Sequence, residues 1–151
     1  MEYRKAGKDD VAQLVELRKK QLVDEGACAD SNIDAALAEY FSSSLNNKNL
    51  VVWLAIEGRQ IIGTAGVCFF QYPPNFTNTT GKVAYITNVY TKNEFRNQGT
   101  ATKLLEFIME EIKLEDCIFV RLHASAQGKK LYEKLGFEDA HGFMTKKMCQ
   151  A

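Results

Sequence analysis

The sequence predicts an α/β fold of the α+β kind: a mixed, mostly antiparallel central sheet with helices on both faces. Three observations carry this expectation. In the first half, two apolar runs flank a short turn, the pattern of a hairpin. In the second half, strand-like runs alternate with amphipathic helical stretches, which requires parallel pairing somewhere in the sheet. No internal repeat or low-complexity stretch divides the 151 residues, so residues 1–151 read as a single domain.

The elements follow in order. Tyr3 to Ala6 reads as a short strand. A helix follows with Val11, Leu14, Val15 and Leu22 on one face, and Asp10 with Gln13 has the spacing of a capping box. Gly26 and Asp30-Ser31 interrupt it. Ile33, Ala36, Leu37, Tyr40 and Phe41 form the face of a second helix; Ser31 is its candidate cap and the polar stretch Ser42 to Asn49 its expected end. Leu50 to Ile56 is a continuous apolar run, the mark of a buried strand. Glu57-Gly58-Arg59-Gln60 turns the chain, and Ile61 to Phe70 returns alongside. Tyr72-Pro73-Pro74 breaks that strand, and the Asn- and Thr-rich loop to Gly81 is long enough to be functional. Val83 to Thr91 is the next strand. Ala101, Leu104, Leu105, Ile108 and Ile112 then recur with helical spacing. Cys117 to Leu122 reads as a strand, Ser125 to Leu135 as a helix closed by Gly136, and Phe143 to Met148 as a last strand, with a short one near Phe137-Glu138.

Composition narrows the function. Hydrophobic residues make up 46% and charged residues 25%, an ordinary globular balance, and the formal net charge is +0. No global field therefore attracts nucleic acid or an anionic membrane. No run approaches the ~20 apolar residues of a membrane span, and no apolar signal region opens the chain, so a cytoplasmic protein is expected. Cys28, Cys68, Cys117 and Cys149 are scattered; with no closely spaced Cys or His ligands, no metal is expected. Cys68 and Cys117 lie in apolar runs and read as reduced packing residues.

Between the strand ending at Thr91 and the helix opening near Gly99 stands Arg96-Asn97-Gln98-Gly99-Thr100-Ala101. A helix start leaves backbone N–H groups unpaired and carries partial positive charge, so a phosphate satisfies both. Gly99 lets the backbone approach the ligand and Arg96 adds a fixed charge. The commonest phosphate loops are absent. No Gly-Lys pair continues into Ser or Thr at the P-loop spacing, and no G-x-G-x-x-G occurs. A nucleotide hydrolase is disfavoured accordingly, because the loop lacks its Lys and its metal-binding hydroxyl.

The loop reads Arg, two residues, Gly, one residue, Ala. Downstream stands Leu131-Tyr132-Glu133-Lys134-Leu135-Gly136-Phe137. In these two motifs, their order and their separation, the chain resembles the GNAT superfamily of acyl-CoA-dependent N-acetyltransferases, and the likeness extends over nearly the whole length. The resemblance implies acetyl-CoA as co-substrate. Its pyrophosphate would lie on Arg96, Asn97, Gln98, Gly99, Thr100, Ala101 and Thr102. Its extended arm would pair with Val89, Tyr90 and Thr91 on a strand splayed from its neighbour, with the Val89 N–H facing the thioester oxygen. Tyr132 would be the general acid for the departing thiolate. Ser125 stands where relatives often carry Asn, as a contact to the cofactor arm or as a helix cap.

The general base is left open. Many relatives place a Glu on the strand before the loop, whereas Tyr85-Ile86-Thr87-Asn88 has no carboxylate. Water relayed by Asn88, Thr87 or Tyr85, a Glu from another segment (Glu25, Glu39 or Glu94), and His123 are the alternatives. The expected function is acetyl transfer to a primary amine of a small molecule or protein, by direct attack in a ternary complex, since no Cys is poised for covalent catalysis. The other reading is a non-catalytic acyl-CoA-binding regulator or sensor on the same fold. Acetyl-CoA and an amine are the expected partners, without nucleic acid or membrane, and a homodimer stays open.

Overall fold

The computed structural model describes residues 1–149. The chain begins on β1 (Glu2–Lys5) and passes through a 3-10 turn, Lys8–Asp10, into α1 (Val11–Asp24) and α2 (Asp34–Asn46). β2 (Leu50–Glu57), β3 (Gln60–Gln71) and β4 (Lys82–Thr91) follow. A second 3-10 turn, Asn93–Phe95, leads to α3 (Thr100–Lys113), then β5 (Phe119–Leu122) and α4 (Lys129–Lys134). The strands form one sheet in the order β1-β2-β3-β4-β5. All pairs are antiparallel except β4–β5, whose strands are joined through α3. No helix among the described residues is long and apolar enough to cross a membrane.

Alternation along the strands divides the core in two, as the pleat requires. Ala55, Ile62, Ala84 and Ile86 meet Leu104, Leu105, Ile108 and Ile112 of α3 on one face. Leu50, Val52, Leu54 and Ile61 meet Leu14, Val15 and Phe41 of α1 and α2 on the other. The expected mixed sheet with helices on both faces is the one observed.

Several local expectations are corrected. Asp10 makes no capping box with Gln13. Its carboxylate accepts both Arg4 Nη1 and Nη2, at 2.8 and 2.9 Å, and the Gly7 N–H at 2.8 Å, so it ties β1 to the turn before α1. The cap of α2 comes from Asn32, whose Oδ1 accepts the Asp34 N–H, rather than from Ser31. α2 also runs on through Ser42 to Asn46, because Leu45 continues the apolar face of Leu37 and Phe41. β5 starts at Phe119 instead of Cys117, since its partner β4 offers pairing only from Val83. Half-buried Cys117 therefore precedes the strand. α4 is shorter than expected: Ser125 to Gly128 form a turn before it. Its C-terminus is closed as foreseen, by the Gly136 N–H on the Glu133 carbonyl and the Phe137 N–H on the Tyr132 carbonyl. Neither Phe137-Glu138 nor Phe143 to Met148 is a strand. A strand exists only against a partner, and no described residue of the chain pairs with them.

The Arg4–Asp10 link has a pH signature. The Arg4 hydrogen bonds hold the Asp10 carboxyl below its usual 3.8. A depressed carboxyl stabilises the fold above its unfolded value and loses that contribution as pH falls through the folded one. Asp10→Asn should cost about 1–3 kcal/mol in urea unfolding at pH 7. The gap from wild type should close as the medium is acidified below about pH 4.

Candidate functional site

β4 and β5 pair only from Val83↔Phe119 to Ile86↔Leu122. Beyond Ile86 the two strands part, and β4 continues to Thr91 without a partner on that side. A bulge on β4 accompanies the parting. Its register with β3 steps from Gly66↔Thr87 to Thr64↔Tyr90, so Asn88 and Val89 together oppose one residue. Asn88 takes φ +55, a left-handed conformation that Asn tolerates better than most residues. Two bonds pin the bulge: Thr64 Oγ1 donates to the Asn88 carbonyl at 2.7 Å, and Gln21 Nε2 donates to the Val89 carbonyl at 3.2 Å.

The gap between the strands is a cavity of about 310 Å³. It is lined by Val89, Tyr90, Thr91, Arg96, Asn97, Gly99, Thr100, Ala101, Thr102, Ser125 and Tyr132, together with Phe95, Gln127, Gly128 and Leu131. The loop before α3 carries positive φ at Asn97 (61°) and Gly99 (79°), an alternation of hand that turns successive amides inward. The first helical bond of α3 is Lys103 N–H to the Gly99 carbonyl. Among the described residues, the amides of residues 97–102 have no acceptor. Two hydroxyls share that condition: Thr91 Oγ1 and Thr100 Oγ1 have no hydrogen-bond partner, although the residues are only 8% and 2% exposed. A buried, unpaired hydroxyl costs about 1–3 kcal/mol, and the row of free amides beside these two can hold a ligand rich in acceptors. The diphosphate and amide-bearing arm of coenzyme A fit that description.

Arg96 is held from several sides. Its Nε donates to the Thr91 carbonyl at 2.9 Å and Nη1 to Gln127 Oε1 at 3.4 Å, while Nη2 stands 3.7 Å from Asp24 Oδ2. The guanidinium carbon lies 5.6 Å from the centre of the Tyr90 ring. The Tyr90 hydroxyl donates to the same Asp24 carboxylate at 2.6 Å, and burial with that bond pushes it up to about 12. The Tyr90 side chain thus serves the join between α1 and β4.

Tyr132 lies at the far end of the cavity, buried on α4. Burial and the charge of Glu25 push its phenol up to about 12, so it keeps its proton throughout the physiological range. Gly128 makes room for the ring: a Cβ there would sit 2.9 Å from Tyr132 Cε2 and 3.3 Å from Ser125 Oγ. Ser125 Oγ accepts the Gly128 N–H at 3.1 Å within the turn before α4, whose N-cap is Gly128 with no side-chain cap, so the helix cap expected of Ser125 is not formed, and its own proton is left to donate.

Of the residues expected to meet the cofactor or to act as general acid, Gln98 alone is not on the cavity wall and is exposed; of the candidate bases Tyr85, Thr87, Asn88, Glu25, Glu39, Glu94 and His123, none is on it. The His123 ring stands 5.8 Å from that of Tyr85. Sequence reasoning missed Gln21 and Gln127, and weighs Asp24 only as an attraction for a cationic amine. Gln21 offered a signal. It is a polar residue on the buried stripe Leu14–Leu17–Gln21, and it bonds Arg18, Glu25 and Val89 at once.

A family model described as an acetyltransferase (GNAT) domain matches residues 48–139. A relative from Arabidopsis thaliana, glucosamine 6-phosphate N-acetyltransferase, is 28% identical over 126 residues, 83% of this chain and 82% of that protein. A crystal structure from Clostridium acetobutylicum, described as a predicted acetyltransferase with acetyl-CoA, superposes with a TM-score of 0.94 at 41% identity, covering 97% of this chain and 95% of that one. A GCN5-related N-acetyltransferase from Ralstonia eutropha shares the fold with a TM-score of 0.90 at 22% identity, over 97% of each chain.

Thr100→Val tests the unpaired hydroxyl. The variant should be as stable as wild type or more so, yet bind coenzyme A about tenfold more weakly by calorimetry, a loss of ~1.4 kcal/mol.

Proposed function

Because the chain belongs to the GNAT family of acetyltransferases, we propose that it moves the acetyl group of acetyl-CoA onto a primary amine of a small molecule or protein, by direct attack within a ternary complex. The observation that carries this reading is the cavity at the parting of β4 and β5, where free amides, two unpaired hydroxyls and Tyr132 converge.

In this reading the loop amides hold the diphosphate and the free edge of β4 pairs with the extended arm. The bulge at Asn88 turns the Val89 region toward the thioester, where an N–H stabilises the developing oxyanion. Tyr132 hydrogen-bonds the departing sulfur. A phenol near 12 gives its proton to a thiolate of pKa ~8.5 only against a gradient of roughly 5 kcal/mol. Tyr132 therefore acts as a hydrogen-bond donor first and passes its proton on late, as the proton of the new amide nitrogen departs.

An alkylamine is held protonated at pH 7 by roughly 4.6 kcal/mol. With no carboxylate on Tyr85 to Asn88, Glu25 takes the role of base. Its charge is felt at Tyr132, and Gln21 Nε2 bridges it to the Val89 carbonyl, at 3.1 Å from Glu25 Oε1. Glu25 is exposed, so a proton it receives has a path to water. Glu39 has no such link to the site, and Glu94 acts on Tyr90 instead. The Arabidopsis relative is named for glucosamine 6-phosphate, so that amino sugar phosphate heads the panel of amines to be screened by thiol release.

Tyr132→Phe should lower kcat about a hundredfold with coenzyme A affinity unchanged within a factor of three. Parallel losses in both would identify a packing residue. Glu25→Gln should lower kcat/KM about tenfold at pH 7, with the deficit shrinking toward pH 10 as free amine becomes abundant. A deficit independent of pH would remove Glu25 from proton transfer.

A further inference from the structure

The largest cavity, about 780 Å³, is not the one over the loop before α3. It opens over the sheet face of Phe70, Tyr72 and Tyr85 and reaches past the end of β5 to Tyr132 on α4. α1 and α2 cover Leu50, Val52, Leu54 and Ile61 of that face. Beyond them Phe70 and Tyr72 are 47% and 46% exposed, part of a contiguous apolar patch of the kind that marks a binding groove.

Four rings form an unbroken row across three strands. Phe70 pairs with Val83 on β4, and Tyr85 stands two residues further on. Phe70 and Tyr85 are therefore diagonal neighbours, their ring centres 6.1 Å apart. Tyr85 pairs in turn with Arg121, and His123, just past β5, brings its ring to 5.8 Å from the Tyr85 ring. Tyr72 prolongs the row on the other side, 6.4 Å from Phe70. The row leads to the transfer site: Tyr132 borders both cavities, and the consecutive residues Ala124 and Ser125 border one each. The charges on the wall are unequal. Arg121 lies over the rings of Phe119 and Phe143, and Lys129 is 3.3 Å from Asp139. Glu133 and Glu138 have no ion pair among the described residues, so two carboxylates are left for a cation.

We propose that this row is the platform for the acceptor, and that the acceptor is a primary amine carried on an aromatic ring by a short alkyl arm. The inference rests on the acetyl-transfer reading and adds the chemical class of its substrate. The ring seats on Phe70 and Tyr85, where offset or edge-to-face contact adds to the gain from burial. The arm carries the amine past His123 toward Tyr132. The protonated amine is drawn in by Glu133 and Glu138, whereas an anionic acceptor meets like charge there. In the transfer the amine nitrogen bonds the acetyl carbon and the C–S bond breaks. Of the two protons the ammonium gives up, one leaves through Glu25 to water. The other reaches the coenzyme A sulfur by way of Tyr132, so the products are the amide and the free thiol.

The probes are 2-phenylethylamine and butylamine, titrated by calorimetry into the whole chain saturated with coenzyme A, where no acetyl group is present to transfer. 2-Phenylethylamine should bind about tenfold more tightly. Phe70→Ala with Tyr72→Ala should erase that preference; both side chains lie at the surface, and an unchanged circular dichroism spectrum shows that the variant folds. Glu133→Gln with Glu138→Gln should weaken the binding of both amines about threefold at low salt, with the loss vanishing at high salt. Equal binding of the two amines overturns the proposal, as does a preference that survives F70A/Y72A. Tighter binding of glucosamine 6-phosphate than of 2-phenylethylamine overturns it too. Thiol release with acetyl-CoA then separates the two readings. Release from butylamine as fast as from 2-phenylethylamine overturns the aromatic class and leaves acetyl transfer standing. Ring binding that depends on Phe70 and Tyr72, with no release from any amine, upholds the site and removes the transfer reading.

Discussion

The constraint on which the rest depends is that β4 and β5 must not stay paired. A parallel pair zipped to Thr91 would satisfy the backbone of β4 and leave no opening before α3. The pairing stops at Ile86, and the bulge of β4 against β3 at Asn88 follows directly after that point. Its left-handed backbone is held by Thr64 beneath and Gln21 beside it, two polar side chains 3% and 5% exposed and committed to carbonyls of the bulge. The strain is local, and the bonds that offset it come from β3 and α1.

α1 therefore does more than cover a sheet face. Gln21 grips the bulge, Asp24 receives the Tyr90 hydroxyl and stands close to Arg96, and Glu25 lies within electrostatic reach of Tyr132. Gln21, Asp24 and Glu25, at the end of α1, thus bear on the bulge, the loop before α3 and, through charge, α4. A displacement of α1 would be felt at all three. This gives the region above the gap between the strands a single rigid wall, which is what positioning a nucleophile demands.

Much of this was legible in the sequence, and the limits have physical causes. The hairpin, β4, the loop and α3 follow from periodicity and turn residues, which act locally. The loop before α3, with its unpaired amides, was legible because helix starts and glycine have fixed chemistry wherever they occur. Asp10 was misread because its partner Arg4 lies across a turn, and a capping pattern says nothing of a competing guanidinium. The bonds of Gln21 and Asp24 were invisible, since their partners Val89 and Tyr90 are far along the chain. The strand expected at Phe143 to Met148 failed because alternation specifies a capacity to pair without supplying a neighbour.

The parallel union of β4 and β5 has a kinetic consequence. β2, β3 and β4 are successive in the chain and can zip as a meander, each closing a short loop. β5 must wait for the whole of α3 to form and swing back across the sheet, so its contacts carry the highest closure entropy of any adjacent pair in that half. It is also short, with four paired positions. Closure entropy thus favours pairing of β5 after the meander and opening of its four paired positions before it.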